Sequence, residues 1–365
     1  MYKSFEVNNF RCFGEFSITD IERVNLISGR NNVGKTALLE ALFLHGGAYK
    51  PELTVRVNAF RGIDVLKLES GWWSGSPFVS IFRDFDASKI VKLVGENHKT
   101  GHRALRLKMV REPKELEEIS RYIQLDLKLD HEDNEARSYS LEADKVLLLE
   151  YEELEEKGRY YLILGEKGMR TVPIPPSPPF QTFFQITRMR IPPGEEAERF
   201  GNLQKRREES VVYQVLKLIE PRLRNVGMIY EAGVPYLHGD IEGVSRPIPL
   251  PLMGEGMTRL ASMVINIGNA QNGVVLIDEI ENGLHHSVLV NVWQAIGEAA
   301  RRFNTQVFAT THSRECVVAA HKAFTESDVY DFRMHRLERV DEIIRAVTYD
   351  EETLEAAIEA ELEVR

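Results

Sequence analysis

Only two cysteines occur among the 365 residues, Cys12 and Cys316, and neither belongs to a C-x-x-C pair. A disulfide framework and a thiolate zinc site are therefore excluded as organising devices. No apolar run reaches the ~20 residues needed to span a bilayer, so no membrane partner is expected. Met1–Glu6 lacks the apolar stretch and small-residue cleavage site of an export signal. These absences predict a reduced, cytoplasmic protein. Positive charge is also in short supply: 46 Lys and Arg stand against 56 Asp and Glu, a net charge of −10. That balance argues against nonspecific coating of nucleic acid, while permitting a local basic groove. His98, His102 and His131 show no metal-ligand spacing, and no internal repeat is visible. What is present, 43% hydrophobic and 28% charged residues, is the profile of a soluble globular chain. Its length suffices for two domains, or for one domain with an insertion.

Residues 1–75 read as the first half of an α/β domain. Tyr2 to Phe10 alternates as a strand, and Val24 to Ser28 forms a second strand running straight into Gly29. From Thr36 to Leu44 the apolar residues fall at helical spacing. Residues 76–190 change character. Short alternating runs at Ile90–Val94, Ala104–Met109, Tyr122–Leu129 and Tyr160–Leu164 predict a β-rich insertion, an antiparallel meander. The proline-rich Val172–Pro179 reads as its extended return. Residues 191–365 bring back the α/β pattern. Glu195 to Leu223 predicts one or two charged helices, Met257 to Asn269 a helix, and Ser287 to Phe303 another. Gly273–Ile277 and Thr305–Thr310 are apolar strands of the kind buried in a parallel sheet. Asp350 can cap a last helix with Leu354, Ile358 and Leu362 on one face.

Three features carry chemistry. Gly29-Arg30-Asn31-Asn32-Val33-Gly34-Lys35-Thr36 matches G-x-x-x-x-G-K-[ST] in full, between a strand and a helix. Backbone N–H groups of such a loop wrap phosphates, and Gly34 permits their close approach. Lys35 would neutralise the β- and γ-phosphates of ATP, and the Thr36 hydroxyl would ligate Mg2+. Second, the strand Val274–Ile277 ends in Asp278 and Glu279. Asp278 suits a role at Mg2+, and Glu279 suits a general base for the attacking water. Third, Thr305–Thr310 is followed by Thr311-His312-Ser313, where His312 could donate a hydrogen bond to the γ-phosphate. Gly254, Glu255 and Gly256 precede the Met257 helix and form a weaker, second anion site. On its own, G-x-G is as readily a plain loop.

In their order along the chain, these motifs resemble the ABC-type ATPase heads of the SMC, RecF and OLD families. The nearest resemblance is to stand-alone OLD-like or RecF-like AAA-type ATPases. Asn8–Phe13 looks like that group's first strand, Ile277–His285 like its Walker B and D-loop, and Phe308–Ser313 like its switch-histidine strand. The implied fold is a P-loop NTPase head, a mixed, mostly parallel sheet with flanking helices, interrupted by the β-rich insertion. The implied mechanism is a head-to-tail homodimer or higher oligomer that sandwiches ATP. Each ATP would lie between Gly29–Thr36 of one subunit and the Leu252–Gly256 signature of another, with Glu281–His285 along the seam. The output would pass to a separately encoded effector protein or to DNA, in phage defence or in DNA repair. Family members with a Toprim nuclease carry it after the head. The acids Glu351, Glu352, Glu355, Glu359, Glu361 and Glu363 read instead as a solvated helix face, so no nuclease is expected here.

This chain departs from the family pattern at Met253, where the ABC signature has a serine. A Q-loop glutamine is not singled out, with Gln181 and Gln185 both candidates. Lys205, Arg206, Arg207, Arg188, Arg190, Arg222 and Arg224 could form a basic surface, but interleaved glutamates favour ion-paired helices. Trp72 and Trp73 read as core anchors, with adenine contact the alternative. His285 and His286 are assigned to the dimer seam. The competing class is an ATP-held scaffold with negligible turnover. A GTPase is disfavoured because no Asn-Lys-x-Asp guanine reader is present.

Overall fold

The computed structural model describes residues 1–63, 78–98, 101–130, 145–154, 156–165, 168–187 and 191–365. Trp72, Trp73, His131, Arg188 and Arg190 lie outside the described residues. In chain order, β1 (Tyr2–Phe10) and β2 (Phe13–Ile18) precede β3 (Val24–Gly29), α1 (Lys35–Gly46) and α2 (Leu53–Ala59). Then come β4 (Val91–Asn97), β5 (Gly101–Met109), α3 (Pro113–Asp130), β6 (Val146–Glu153), β7 (Glu156–Gly165), β8 (Gly168–Val172) and β9 (Thr182–Gln185). Next are α4 (Pro193–Lys205), α5 (Ser210–Leu216), β10 (Leu223–Glu231), β11 (Val234–Ile241), β12 (Ile248–Pro249) and α6 (Glu255–Asn269). The chain closes with β13 (Val274–Ile277), α7 (Leu289–Arg302), β14 (Gln306–Thr310), α8 (Arg314–Thr325), β15 (Phe332–Val340), β16 (Ile343–Tyr349) and α9 (Glu351–Glu359).

Two compact units emerge. The first comprises residues 1–4, 18–39 and 180–365, and the second residues 5–17 and 40–179. The first is built on a six-stranded sheet in the order β16-β15-β3-β14-β13-β9. The five strands from β15 to β9 run parallel, and β16 closes the edge as an antiparallel hairpin with β15. The continuous apolar run Val274–Ile277 is wholly buried, as a central parallel strand with both faces covered requires. Helix α7 contributes Val292, Trp293, Ile296, Ala299 and Ala300, all buried and at helical spacing. Ser313 caps α8 by accepting from the Cys316 N–H at 3.1 Å, and Asp350 caps α9 with a reciprocal Thr353 contact. Leu354 is buried beneath α9, but Leu362 lies past its end and is exposed; Val364 takes the buried position instead. A three-stranded antiparallel sheet, β10-β11-β12, completes this unit. Periodicity does not reveal it: the outer half of β10 is exposed on both faces, so no alternation marks it.

The second unit holds a seven-stranded sheet in the order β2-β1-β4-β5-β6-β7-β8. From β4 to β8 each strand pairs antiparallel with the next in sequence. The β-rich segment thus shares its sheet with the first two strands of the chain. Helix α3 lays Leu116 and Ile119 against Val146, Leu148 and Ile163. Its extent corrects the strand expected at Tyr122–Leu129. That run alternates with period two, yet five of its eight residues, Gln124, Leu125, Leu127, Lys128 and Leu129, are good helix formers, and its helix starts on a proline at the first helical position. Glu40, on α1 and almost fully buried, receives Arg11 Nε at 2.9 Å and Arg61 Nε at 2.6 Å.

Candidate functional site

The parallel sheet determines where chemistry can gather, because the carboxyl ends of all its parallel strands lie along one edge. Strands β3, β14 and β13 are neighbours, in the register Thr310 beside Ile27 and Ile277 beside Ala309. At those ends stand Gly29, the last residue of β3, and Thr311 and Asp278, the first beyond β14 and β13. Gly29 has φ 140°, and a Cβ there would stand 2.6 Å from the Leu337 carbonyl oxygen. Only glycine fits that turn. Asn32 and Gly34 continue the loop with φ of 62° and 108°. Val33 is buried and anchors it, while Arg30, Asn31 and Asn32 are exposed. The first turn of α1 then presents N–H groups that have no acceptor within the helix.

Lys35 folds back over this loop. Its Nζ donates to the carbonyl oxygens of Gly29 at 2.6 Å and Arg30 at 3.1 Å. Burial lowers the Lys35 ammonium below its usual range, and attraction from Asp278, Glu279 and Glu281 opposes that. Thr36 Oγ1 donates to Asp278, 3.1 Å from Oδ1 and 3.3 Å from Oδ2. Thr310 Oγ1 donates to the same Oδ1 at 2.7 Å and accepts from the Glu279 N–H at 2.8 Å. Adjacent ligands of an octahedral Mg2+, each about 2.1 Å from the ion, stand about 3 Å apart. The Thr36 and Asp278 oxygens have that spacing, so this pair of hard donors fits the ion.

Glu279 is half-buried and adopts φ 48°, a left-handed conformation uncommon for a residue with a Cβ. Asn282 Nδ2 holds its Oε2 at 2.7 Å. Glu281 Oε1 accepts two hydrogen bonds, from Thr311 Oγ1 at 2.8 Å and from the His312 N–H at 3.0 Å, and His312 Nδ1 lies 3.2 Å from it. His312 is therefore oriented by Glu281, with its ring half-exposed.

The structure thus gathers Lys35, Thr36, Asp278 and Glu279 at one edge, with Thr310 between the two acids. Gly254, Glu255 and Gly256 sit apart, at the exposed start of α6. Gly254 has φ 118°, and among the described residues no hydrogen bond or ion pair links these three to the phosphate loop. Their neighbour is the turn at Gly283, whose carbonyl oxygen would be 2.5 Å from a Cβ on Gly256. Met253 turns its sulfur toward Gly239 on β11, in contact so close that a Cβ there would be 2.8 Å away. Its side chain therefore packs on its own sheet.

Gln185 ends β9 beside Ile277 and is buried, its Nε2 donating to the Arg259 carbonyl at 3.2 Å. Gln181 is exposed ahead of the strand. Three of the described basic residues are ion-paired. Arg206 pairs with Glu208, Arg222 with Glu220 and Arg224 with Glu242. His285 caps the short turn of His286–Val288, and both histidines are exposed. No group of three or more His, Cys, Asp or Glu suited to a metal occurs among the described residues. Nor is any described helix long and apolar enough to cross a membrane.

Sequence reasoning missed Thr310, Thr187 and Arg259. Thr187 Oγ1 and Arg259 Nη2 both donate to the Asp278 carbonyl, at 2.8 and 2.5 Å. The available signals were a threonine closing an apolar strand and a lone cation in an otherwise uncharged helical run.

A phosphate loop, an acid pair and a threonine-bridged strand end, on a mostly parallel sheet, define a P-loop nucleoside triphosphatase head. The sequence profile of the family described as "AAA domain, putative AbiEii toxin, Type IV TA system" matches residues 24–317. The chain belongs to that family and is an ATPase of the AAA type. It is 23% identical over 389 residues to an ATP/GTP phosphatase of Helicobacter pylori (strain ATCC 700392 / 26695), covering 99% of each chain. It is also similar in fold to a crystal structure of an SMC head bound to the C-winged helix domain of ScpA. That match has a TM-score of 0.53 and 13% identity, over 98% of this chain and 99% of that one. The α/β architecture is thus that of SMC- and ABC-type ATPase heads.

Proposed function

We propose that the chain binds ATP with Mg2+ on Gly29–Thr36, hydrolyses it as a dimer, and passes the change of state to a separate effector protein. The observation that carries this reading is the meeting of Thr36, Asp278 and Thr310, from three distant parts of the chain, at distances of 2.7 to 3.3 Å. N–H groups of the loop and of the first turn of α1 receive the β- and γ-phosphates. Lys35 exchanges its two carbonyl partners for phosphate oxygens. Thr36 and Asp278 would hold Mg2+, which when bound neutralises charge on the phosphate oxygens. Glu279 accepts a proton from the attacking water, with Asn282 aiming its carboxylate. His312, held beside Glu281, donates a ring N–H to the γ-phosphate.

The family resemblance supplies the dimer. Two features favour it. Leu252, Gly254 and Glu255 are exposed, and the neighbouring turn at Gly283 leads into the exposed His285. A second copy would bring these groups to the open side of the nucleotide, with backbone N–H groups of α6 replacing the hydroxyl that Met253 lacks. The similar SMC head bound to a winged-helix domain supports a protein as recipient. The ion-paired state of Arg206, Arg222 and Arg224 weighs against DNA in that role. The toxin-system description of the family is in keeping with phage defence ahead of DNA repair.

Phosphate release by the purified protein tests this reading, with and without duplex DNA and beside Lys35→Ala. Expected are Mg2+-dependent release whose specific rate rises with protein concentration, no stimulation by DNA, and loss of activity in Lys35→Ala. No release from the wild type under any condition would sink the hydrolase reading. A concentration-independent rate would remove the dimer from it.

A further inference from the structure

Past Glu255, α6 contains a single charged residue, Arg259, and it points into the protein rather than out of it. The residue is 7% exposed. Nη2 donates to the carbonyl oxygens of two successive residues, Asp278 at 2.5 Å and Glu279 at 2.7 Å. Those residues are the acid pair, and the second has the left-handed backbone noted above. Thr187 donates to the same Asp278 carbonyl, and Gln185 Nε2 donates to the Arg259 carbonyl. Arg259 Nε is buried and has no hydrogen-bond partner among the described residues. A buried guanidinium is costly to keep, and its attachment to backbone carbonyls rather than to a carboxylate makes it a clamp on main-chain geometry.

One turn earlier, α6 touches the same segment again. Gly256 lies against Gly283, whose carbonyl oxygen would stand 2.5 Å from a Cβ on Gly256. The exposed start of α6 and the turn after the acid pair are therefore joined at two points, one steric and one polar. Displacing the first must move the Asp278 and Glu279 carbonyls or break their bonds to Arg259.

We propose that Arg259 is a positioning residue that holds the Glu279 backbone in its aimed conformation and makes α6 the link by which contact at Gly254–Gly256 reaches the base. The proposal rests on the reading of Glu279 as that base. Whatever docks on the exposed glycine turn, a second copy of this chain in the reading above, would then set the hydrolysis rate without touching the water.

The test uses the full-length protein with Arg259→Met, which keeps the stem and removes the donors, and Arg259→Lys, which keeps one cationic donor. Steady-state hydrolysis, equilibrium binding of a fluorescent ATP analogue and thermal melting are measured on each. For Arg259→Met, kcat is expected to fall about 10- to 100-fold, the rate equivalent of a lost charge-assisted hydrogen bond, with nucleotide affinity within about threefold. Arg259→Lys is expected to recover part of the loss, since an ammonium reaches a carbonyl but lacks the planar fork. Gly256→Ala should also slow kcat, and combined with Arg259→Met it should add little to the slower single variant. Wild-type turnover with an unchanged kcat in folded Arg259→Met overturns this inference and leaves the hydrolase reading intact. Should Arg259→Met fail to fold, a wild-type kcat in Arg259→Lys overturns it equally. Full multiplication of the two losses in the double variant overturns the link through α6. A wild-type protein without turnover overturns the hydrolase reading, and this inference with it.

Discussion

The two large sheets use the same apolar alphabet and do different work. In the six-stranded sheet, the neighbours β3, β14 and β13 come from opposite ends of the sequence. Their carboxyl ends share an edge, so Gly29, Thr310 and Asp278 meet although 281 and 32 residues separate them in turn. In the seven-stranded sheet, β4 to β8 each pair with the next strand along. Loops there alternate between the two edges, and charges pair directly across strands, as Arg159 does with Glu150 at 3.0 Å and Lys157 with Glu152 at 2.8 Å. The same contrast holds for buried charge. Glu40 is satisfied by the side chains Arg11 and Arg61, a closed arrangement. Lys35 donates to backbone carbonyls of the phosphate loop and Arg259 to those of the acid pair, an arrangement that ligands can rearrange. Parallel pairing concentrates distant polar groups; antiparallel pairing neutralises local ones.

Three substitutions would break or sharpen that contrast. The largest effect is expected at Glu279→Gln, which should lower kcat about 10²- to 10⁴-fold with ATP binding and melting preserved. Phosphate-release kinetics would show it. Turnover near the wild-type rate would mean that the parallel edge is a binding device, as in an ATP-held scaffold. Next is Glu40→Ala, expected to cost roughly 3 kcal/mol in denaturant unfolding, because two arginines lose their shared partner. A cost below about 1 kcal/mol, the range of exposed pairs, would show that this cluster is effectively solvated.

The third effect is confined to acid pH. His335, on β15, is held neutral by burial, its pKa pushed down to about 4 from an ordinary 6.5. An unfolded chain takes up a proton there below pH 6.5, whereas the folded one does so only near 4. Its contribution is therefore fully present above pH 6.5 and is lost as pH falls from there toward 4, by up to about 3 kcal/mol. His335→Gln keeps a donor for Thr348, the present partner at 3.1 Å, and should flatten the melting profile across that window. An unchanged profile would assign the acid sensitivity elsewhere, with His45 in the second unit, also lowered by burial, the next group to test.

Much of the first unit was legible in one dimension. The loop Gly29–Thr36 and the apolar strands ending in Asp278 and Thr310 declare themselves because each couples a local period to a terminal polar group. Helix α3 misled because alternation and helix propensity compete in one short stretch, and propensity with a proline start prevailed. The hairpin of β10 and β11 left little trace because its tip buries little. Leu362 fits a helical stripe on paper, but the helix ends before it, and Val364 fills the site instead.

By itself, the sequence determined that a triphosphate loop, an acid pair and a histidine follow in order, because those motifs are local and each needs only its own neighbours. Tertiary structure decided how they are connected. Thr310 between the two acids, Glu281 beneath His312, Met253 turned onto Gly239 and Arg259 on the carbonyls of Asp278 and Glu279 are contacts between separate elements. No period or spacing along the chain encodes them, since they depend on which strand lies beside which and on where a long side chain can reach once the sheet is assembled.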